Sequence, residues 1–167
     1  MDTPRLDTTL LLPVPRSRWA PPAGPVTLDG VELHPKEELH VTLIGSMLGS
    51  ELRRSLAPAR LDREIAALLD RLDWSFTRTG RCLLLRKASL GEGHRRVAHS
   101  VIECIDMPAM ADFHQALGKL LGRQLPIPPA HVTLYVAGRA RGIGVPDPRR
   151  LRALAVRVLA PGELPPG

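Results

Sequence analysis

The chain has 167 residues, enough for one domain with its own core. Hydrophobic residues make up 44% and charged residues 24%, an ordinary soluble globular balance, and two cysteines exclude a secreted disulfide scaffold. The formal net charge of +6 suits an anionic partner such as a nucleotide, RNA or acidic lipid, and equally suits a genome that favours Arg.

The N-terminal stretch "MDTPRLDTTLLLPVPRSRW" carries Asp2 and Asp7, and its apolar run is too short for a signal-peptide core. No stretch approaches the roughly 20 apolar residues that cross a bilayer. A cytoplasmic, reduced, monomeric protein without a membrane partner is expected. Prolines crowd residues 13–25 and 161–166, which are read as extended. "VTLDGVEL" (26–33) has Asp-Gly between two alternating runs, a hairpin signal. "ELHVTLIG" (38–45) reads as a strand ending at Gly45. Leu61, Ile65, Leu68, Leu69 and Leu72 then recur at helical spacing. "CLLLRK" (82–87) and "RVAHSVIECID" (96–106) read as strands separated by the turn-like "GEGH". A second helix follows, with Met110, Phe113, Leu117, Leu120 and Leu121 on one face, Pro108 near its start and Gly122 near its end. After "PIPPA" comes "HVTLYVAG" (131–138), again a strand. A Gly-rich loop, "RARGIGVPDP", leads to a last strand over 151–159.

The tetrapeptide HVTL therefore occurs twice, at 40–43 and 131–134, each time on an expected strand and in comparable places in the two halves. The order of elements predicts an α+β fold spanning residues 1–167 as a single bilobal domain. Its lobes would be duplicated antiparallel sheets related by a pseudo-two-fold axis around a central cleft, with the helices packed outside. One lobe carries the 40–43 motif and the other the 131–134 motif.

On a strand, side chains two apart share a face. His40 and Thr42 thus emerge together while Val41 and Leu43 point into apolar packing, and His131 and Thr133 do the same against Val132 and Leu134. Two imidazoles and two hydroxyls around one cleft suit a tetrahedral phosphoryl group. A neutral His takes a proton from the attacking water and a protonated His gives one to the leaving oxygen. Threonine hydroxyls hold the non-bridging oxygens. Any single HVTL is more often only a half-buried strand, and it is the pairing that points to chemistry. No third His, Cys or carboxylate stands at ligand spacing beside either motif, so no metal or other cofactor is expected.

With these motifs the sequence resembles the two-histidine (2H) phosphoesterase superfamily, which includes the RNA 2′,3′-cyclic phosphodiesterases historically called 2′-5′ RNA ligases. Its signature is two His-x-Thr/Ser-x motifs, matched by His40-Val-Thr42-Leu and His131-Val-Thr133-Leu. The resemblance implies a bilobal α+β fold and a metal-independent phosphoric diester hydrolase. It also implies a substrate with a cyclic or 2′-linked phosphodiester, such as a nucleotide or an RNA end carrying a cyclic phosphate. By the family pattern His40 and His131 form the acid-base pair, the first as acid and the second as base, and Thr42 and Thr133 bind phosphate. RNA-processing members often carry a basic residue shortly after the second motif, where this chain has Tyr135 and Val136. That departure bears on the substrate. A 2′-5′ oligonucleotide, a cyclic ADP-ribose phosphate, or a non-catalytic RNA-binding role on the same fold are the alternatives.

Three further residues are candidates for substrate binding. Tyr135, at i+4 from His131, is expected on the same strand face, to hydrogen-bond phosphate or stack on a base, or else to be a sheet tyrosine. Arg139 and Arg141, beside "GIG", can meet a phosphate together with the loop amides, or lie in an ordinary connection. His99 is a candidate lining residue, while His34, His94 and His114 read as surface or boundary positions. Trp19 and Phe76 are read as core or lobe-edge packing residues, with a platform for a base as the alternative. Arg81, Arg86, Lys87, Arg95 and Arg96 form either a basic rim or a solvated edge.

Overall fold

Turn chemistry and alternation build most of the sheet. The computed structural model describes residues 4–166; residues 1–3, with Asp2, and residue 167 lie outside the described residues. Asp29 and Gly30 both take positive φ, 50° and 77°, as a two-residue hairpin loop requires, and they join β2 (Val26–Leu28) to β3 (Val31–Pro35). Glu92 and Gly93 repeat the device at 48° and 78° between β5 (Thr77–Gly91) and β6 (His94–Asp106). With β1 (Leu10–Val14), β4 (Leu39–Ile44), β7 (His131–Ala137) and β8 (Ala155–Val158), the described residues form eight strands in antiparallel pairings, ordered β1-β4-β7-β6-β5-β8. The hairpin of β2 and β3 joins this path where β3 pairs with the far end of β7.

The fold is α+β. Helices α2 (Pro58–Arg71) and α3 (Ala109–Leu121) follow the expected stripes, burying Leu61, Ile65 and Leu68 from one and Met110, Phe113 and Leu117 from the other. Gly122 closes α3 in the left-handed region at φ 69°, a conformation a side chain resists. Three expectations change. Residues 10–14, which run into the start of the proline-rich stretch, form β1, and Pro13 is tolerated there because β1 has a partner on one side only. A helix α1 (Ser46–Ser55) precedes α2 without a side-chain cap, and its Gly49 sits where a Cβ would come 2.0 Å from the Thr8 carbonyl oxygen. The single strand expected over 151–159 divides into α4 (Pro148–Leu154) and β8, because Asp147 accepts a hydrogen bond from the Arg150 amide at 2.6 Å and Pro148 supplies a helical φ at the first position.

The two faces of the sheet differ. Val41, Leu43, Val132, Leu134, Leu84, Val101 and Ile105 belong to the main core with the stripes of α2 and α3. Leu83, Leu85, Ala98 and Ile102 face the other way, where Ile143, Val145 and Leu154 cover them. On the main-core side, Glu103 is only 3% exposed and accepts both arms of the Arg78 guanidinium at 2.8 and 2.9 Å, while Arg78 lies 3.9 Å from the centre of the Trp19 ring. His114 is corrected from a surface or boundary residue to a core one. It is 1% exposed, and its Nε2–H donates to the Leu43 carbonyl at 2.8 Å, tying α3 to the motif strand β4.

Candidate functional site

The two HVTL segments are neighbours. Strand β4 pairs with β7 antiparallel in the register Val41 opposite Val132. Counting outward in opposite directions sets His40 opposite Thr133 and Thr42 opposite His131. In this register a local two-fold axis passes between the two valines and carries each motif onto the other. Directly opposed side chains in such a pair stand about 5 Å apart at Cβ, and diagonal neighbours such as His40 and His131 about 7–8 Å. Both valines are fully buried in the main core, so the four polar side chains, each half-buried, share the opposite face. Leu11 and Pro13 of β1 are partnered with Thr42 and His40, and Ile102 and Cys104 of β6 with Thr133 and His131. The polar cluster thus lies mid-sheet with apolar or thiol neighbours on both sides.

Each imidazole has its own surroundings. His131 places Nδ1 2.8 Å from the Pro129 carbonyl. A carbonyl only accepts, so Nδ1 carries the proton and the neutral ring keeps its lone pair on Nε2. The prolines of "PIPPA" hold the approach to β7 extended and so aim that carbonyl at the ring two residues later. Burial pushes the pKa of His131 down, against the opposing pull of the Pro129 bond. Burial also lowers the pKa of His40, reinforced by the charge of Lys36 and then by that of His131, with Glu38 acting the other way. His40 therefore feels the charge of His131, and an anion between the two rings would favour protonation of either.

Lys36, which sequence reasoning passed over, belongs to this site. Its Nζ donates to the Ala140 carbonyl at 3.1 Å, and its backbone N–H donates to the Leu134 carbonyl at 2.8 Å. Only the long-range contact between residues 36 and 140 reveals it, and no local pattern marks it. The same lysine bond holds the Gly-rich loop, where Gly142 approaches Thr133 so closely that a Cβ there would sit 2.8 Å from its Oγ1 and 3.3 Å from its Cγ2. Arg139 and Arg141 are exposed on this loop. Gly138 starts it at φ 79°, and a Cβ there would lie 2.3 Å from the Val97 carbonyl oxygen, which anchors the loop to β6.

Tyr135 is corrected. It pairs with Val101 and is 1% exposed within the main core, on the face away from His131. The reason is a β-bulge: Thr133 pairs with Ile102 but Tyr135 with Val101, so Leu134 is an extra residue and the alternation reverses after it. His99 likewise lies off the site face, one residue out of phase with Ala98 and Ser100, and burial followed by the charge of Arg86 lowers its pKa. Cys104 shares the site face. Burial pushes its thiol pKa up, and the neighbouring Arg81 opposes that shift. Cys82 faces the other side beside Glu103, pushed up to about 11 chiefly by burial, and both cysteines are free. Among the described residues, no three His, Cys, Asp or Glu side chains gather as metal ligands. No helix among them is long and apolar enough to cross a membrane.

No family model, curated protein or solved structure matches the chain. The class is therefore defined by its own geometry. It is an α+β protein whose sheet carries two imidazoles and two hydroxyls on one face, related by a local two-fold axis. Such a set can take a proton at one end of a small anion, give one at the other, and donate hydrogen bonds between.

Proposed function

We propose that the protein is a metal-independent phosphodiesterase that opens a nucleoside or RNA-terminal 2′,3′-cyclic phosphate. The observation that carries this reading is the Val41–Val132 register, which brings both His-Val-Thr-Leu motifs to one face in two-fold relation. The same register supports a bilobal reading of the chain, with the two halves meeting over the β4–β7 seam and the substrate cleft above it. The resemblance of both motifs to the 2H phosphoesterases supports the choice of phosphodiester chemistry. A reduced, cytoplasmic setting suits the free thiols of Cys82 and Cys104.

In this mechanism His131 acts as base, in keeping with the Pro129 bond that leaves its Nε2 lone pair open. It takes a proton from water, and the water oxygen bonds to phosphorus. The bond from phosphorus to the 3′ oxygen breaks, and protonated His40 gives that oxygen its proton. A 2′-phosphate and a free 3′-hydroxyl result. Thr42 and Thr133 donate hydrogen bonds to the non-bridging oxygens, where charge accumulates in the transition state. Arg139 and Arg141 lie exposed on the loop that Gly142 brings against Thr133, and Lys36 is bonded to the same loop, so all three are candidates to meet the phosphate charge. Incubation of the four nucleoside 2′,3′-cyclic monophosphates with the protein in EDTA, followed by phosphorus NMR, tests the reading. A 2′-phosphate product formed without added metal is expected. Absence of product from all four would remove the cyclic nucleotides from consideration and turn the search to 2′-5′ linkages and ADP-ribose phosphates.

A further inference from the structure

Strands β5 and β6 are longer than the sheet they belong to. β8 leaves β5 at Leu85, and β7 leaves β6 at His99. Beyond those points the two strands stay paired with each other alone, from Lys87 opposite Ala98 to Gly91 opposite His94, with Arg86 at the base of this stretch. The result is a two-stranded arm that continues past the ends of the neighbouring strands. Its charge is almost all of one sign: Arg86, Lys87, Arg95 and Arg96 are cationic, Arg86 and Arg95 on one face and Lys87 and Arg96 on the other, and Glu92 is the only carboxylate of the segment 86–96. Among the described residues these four cations form no salt bridge, whereas Arg78, Arg123 and Arg157 are each committed to carboxylates. Leu90 near the tip is 85% exposed, so the arm does not fold back onto the body.

The base of the arm meets the site loop. Gly138 packs against Val97, and the exposed Arg139 and Arg141 follow directly. Residues 138–146 contain no carboxylate, so the loop over Thr133, with its two exposed arginines, and the cationic arm meet at the Gly138–Val97 contact to give a basic stripe. A cyclic mononucleotide has no use for this stripe, which reaches beyond one phosphate. A polyanion with regularly spaced charges does.

We propose that the arm binds the sugar-phosphate backbone of a single-stranded RNA, so that the substrate is the end of a polynucleotide rather than a free nucleotide. The choice of RNA as occupant rests on the proposed function. Exposed aromatics are absent from the arm, so contacts are to phosphates, sequence-independent and salt-sensitive.

The test is fluorescence anisotropy with a labelled twelve-nucleotide RNA ending in an ordinary 3′-hydroxyl, titrated across a salt series. A variant carrying Arg86→Gln, Lys87→Gln, Arg95→Gln and Arg96→Gln is compared with a charge-matched control carrying Arg54→Gln, Arg60→Gln, Arg63→Gln and Arg71→Gln on the exposed sides of α1 and α2. The arm variant is expected to lose at least tenfold in affinity at low salt. Its plot of log affinity against log salt should flatten by about 0.7 for each phosphate contact removed. The control should retain the wild-type slope. Equal behaviour of the two variants overturns the proposal. So does arm-dependent binding to vesicles containing phosphatidylserine with no arm-dependent binding to RNA. Because this probe has no cyclic phosphate, failure of the hydrolytic reading leaves the readout intact and is distinguished from failure of the arm.

Discussion

Val41 on β4 stands directly opposite Val132 on β7, both fully buried, and this pairing fixes where the two histidines meet. A slip by one residue would send one motif's imidazole and hydroxyl into the core and expose its valine and leucine. The burial of four apolar anchors therefore enforces the register that assembles the polar face. The polar face is a by-product of packing on the other side of the same strands.

Gly142 is expected to be intolerant of a side chain. A Cβ there would press on Thr133, whose branched side chain has little rotational freedom to yield. Gly142→Ala should lower kcat about 10- to 100-fold by displacing the hydroxyl or the loop. Gly144→Ala, with nothing within 4 Å, is the control and should act like wild type. Equal rates for all three would show that the loop does not bear on the reaction.

The pH profile of kcat/KM should peak on the acidic side of neutrality. Both His40 and His131 have pKa values below the ordinary histidine value, and the rate needs one neutral and one protonated ring. The charge of Lys36 disfavours protonation of His40, so Lys36→Gln should raise that pKa. The alkaline limb, where the acid loses its proton, then moves to higher pH. An unmoved limb in this variant would rule out the electrostatic contact.

His114 should make the fold acid-sensitive. Burial lowers its pKa and the Leu43 carbonyl only partly offsets that, so just below pH 6.5 the unfolded chain holds more protons than the folded one. Stability therefore rises with pH through that window and is lost as pH falls, and His40, His99 and His131 act in the same direction. Urea midpoints should be lower at pH 5 than at pH 7.5, and His114→Gln should narrow the difference. A variant with the wild-type pH dependence would assign the effect to other groups.

Arg78→Leu should destabilise the fold by on the order of 2 kcal/mol, because it strands the buried Glu103 carboxylate. The figure is reduced from that for a fully buried pair because Arg78 is 49% exposed. Adding Glu103→Gln should recover part of the loss in chemical denaturation. No recovery would locate the cost in the lost stacking of Arg78 on Trp19 instead.

Much of this was legible in the sequence because it is local. Alternation within HVTL separates His40 and Thr42 from Val41 and Leu43, Asp29-Gly30 makes a turn, and the stripes of α2 and α3 follow helical spacing. What stayed hidden depends on partners distant in sequence. Nothing near Tyr135 announces that Leu134 is an extra residue in the pairing with β6, and that one residue turns the tyrosine into the core. Lys36 enters the site through residue 140. The run "LRALAV" serves a helix or a strand equally by hydrophobicity, and the Asp147 cap decides the matter upstream of it. His114, polar and one turn into α3, is buried because the Leu43 carbonyl awaits it.

The measurement that bears most directly on the paired site is the initial rate on a nucleoside 2′,3′-cyclic monophosphate in EDTA for wild type, His40→Ala, His131→Ala and the double variant. Each single substitution is expected to cost about 10²- to 10⁴-fold, and the double variant should be little worse than the poorer single one, as for two groups serving one step. Wild-type turnover that survives both substitutions would contradict the two-histidine site.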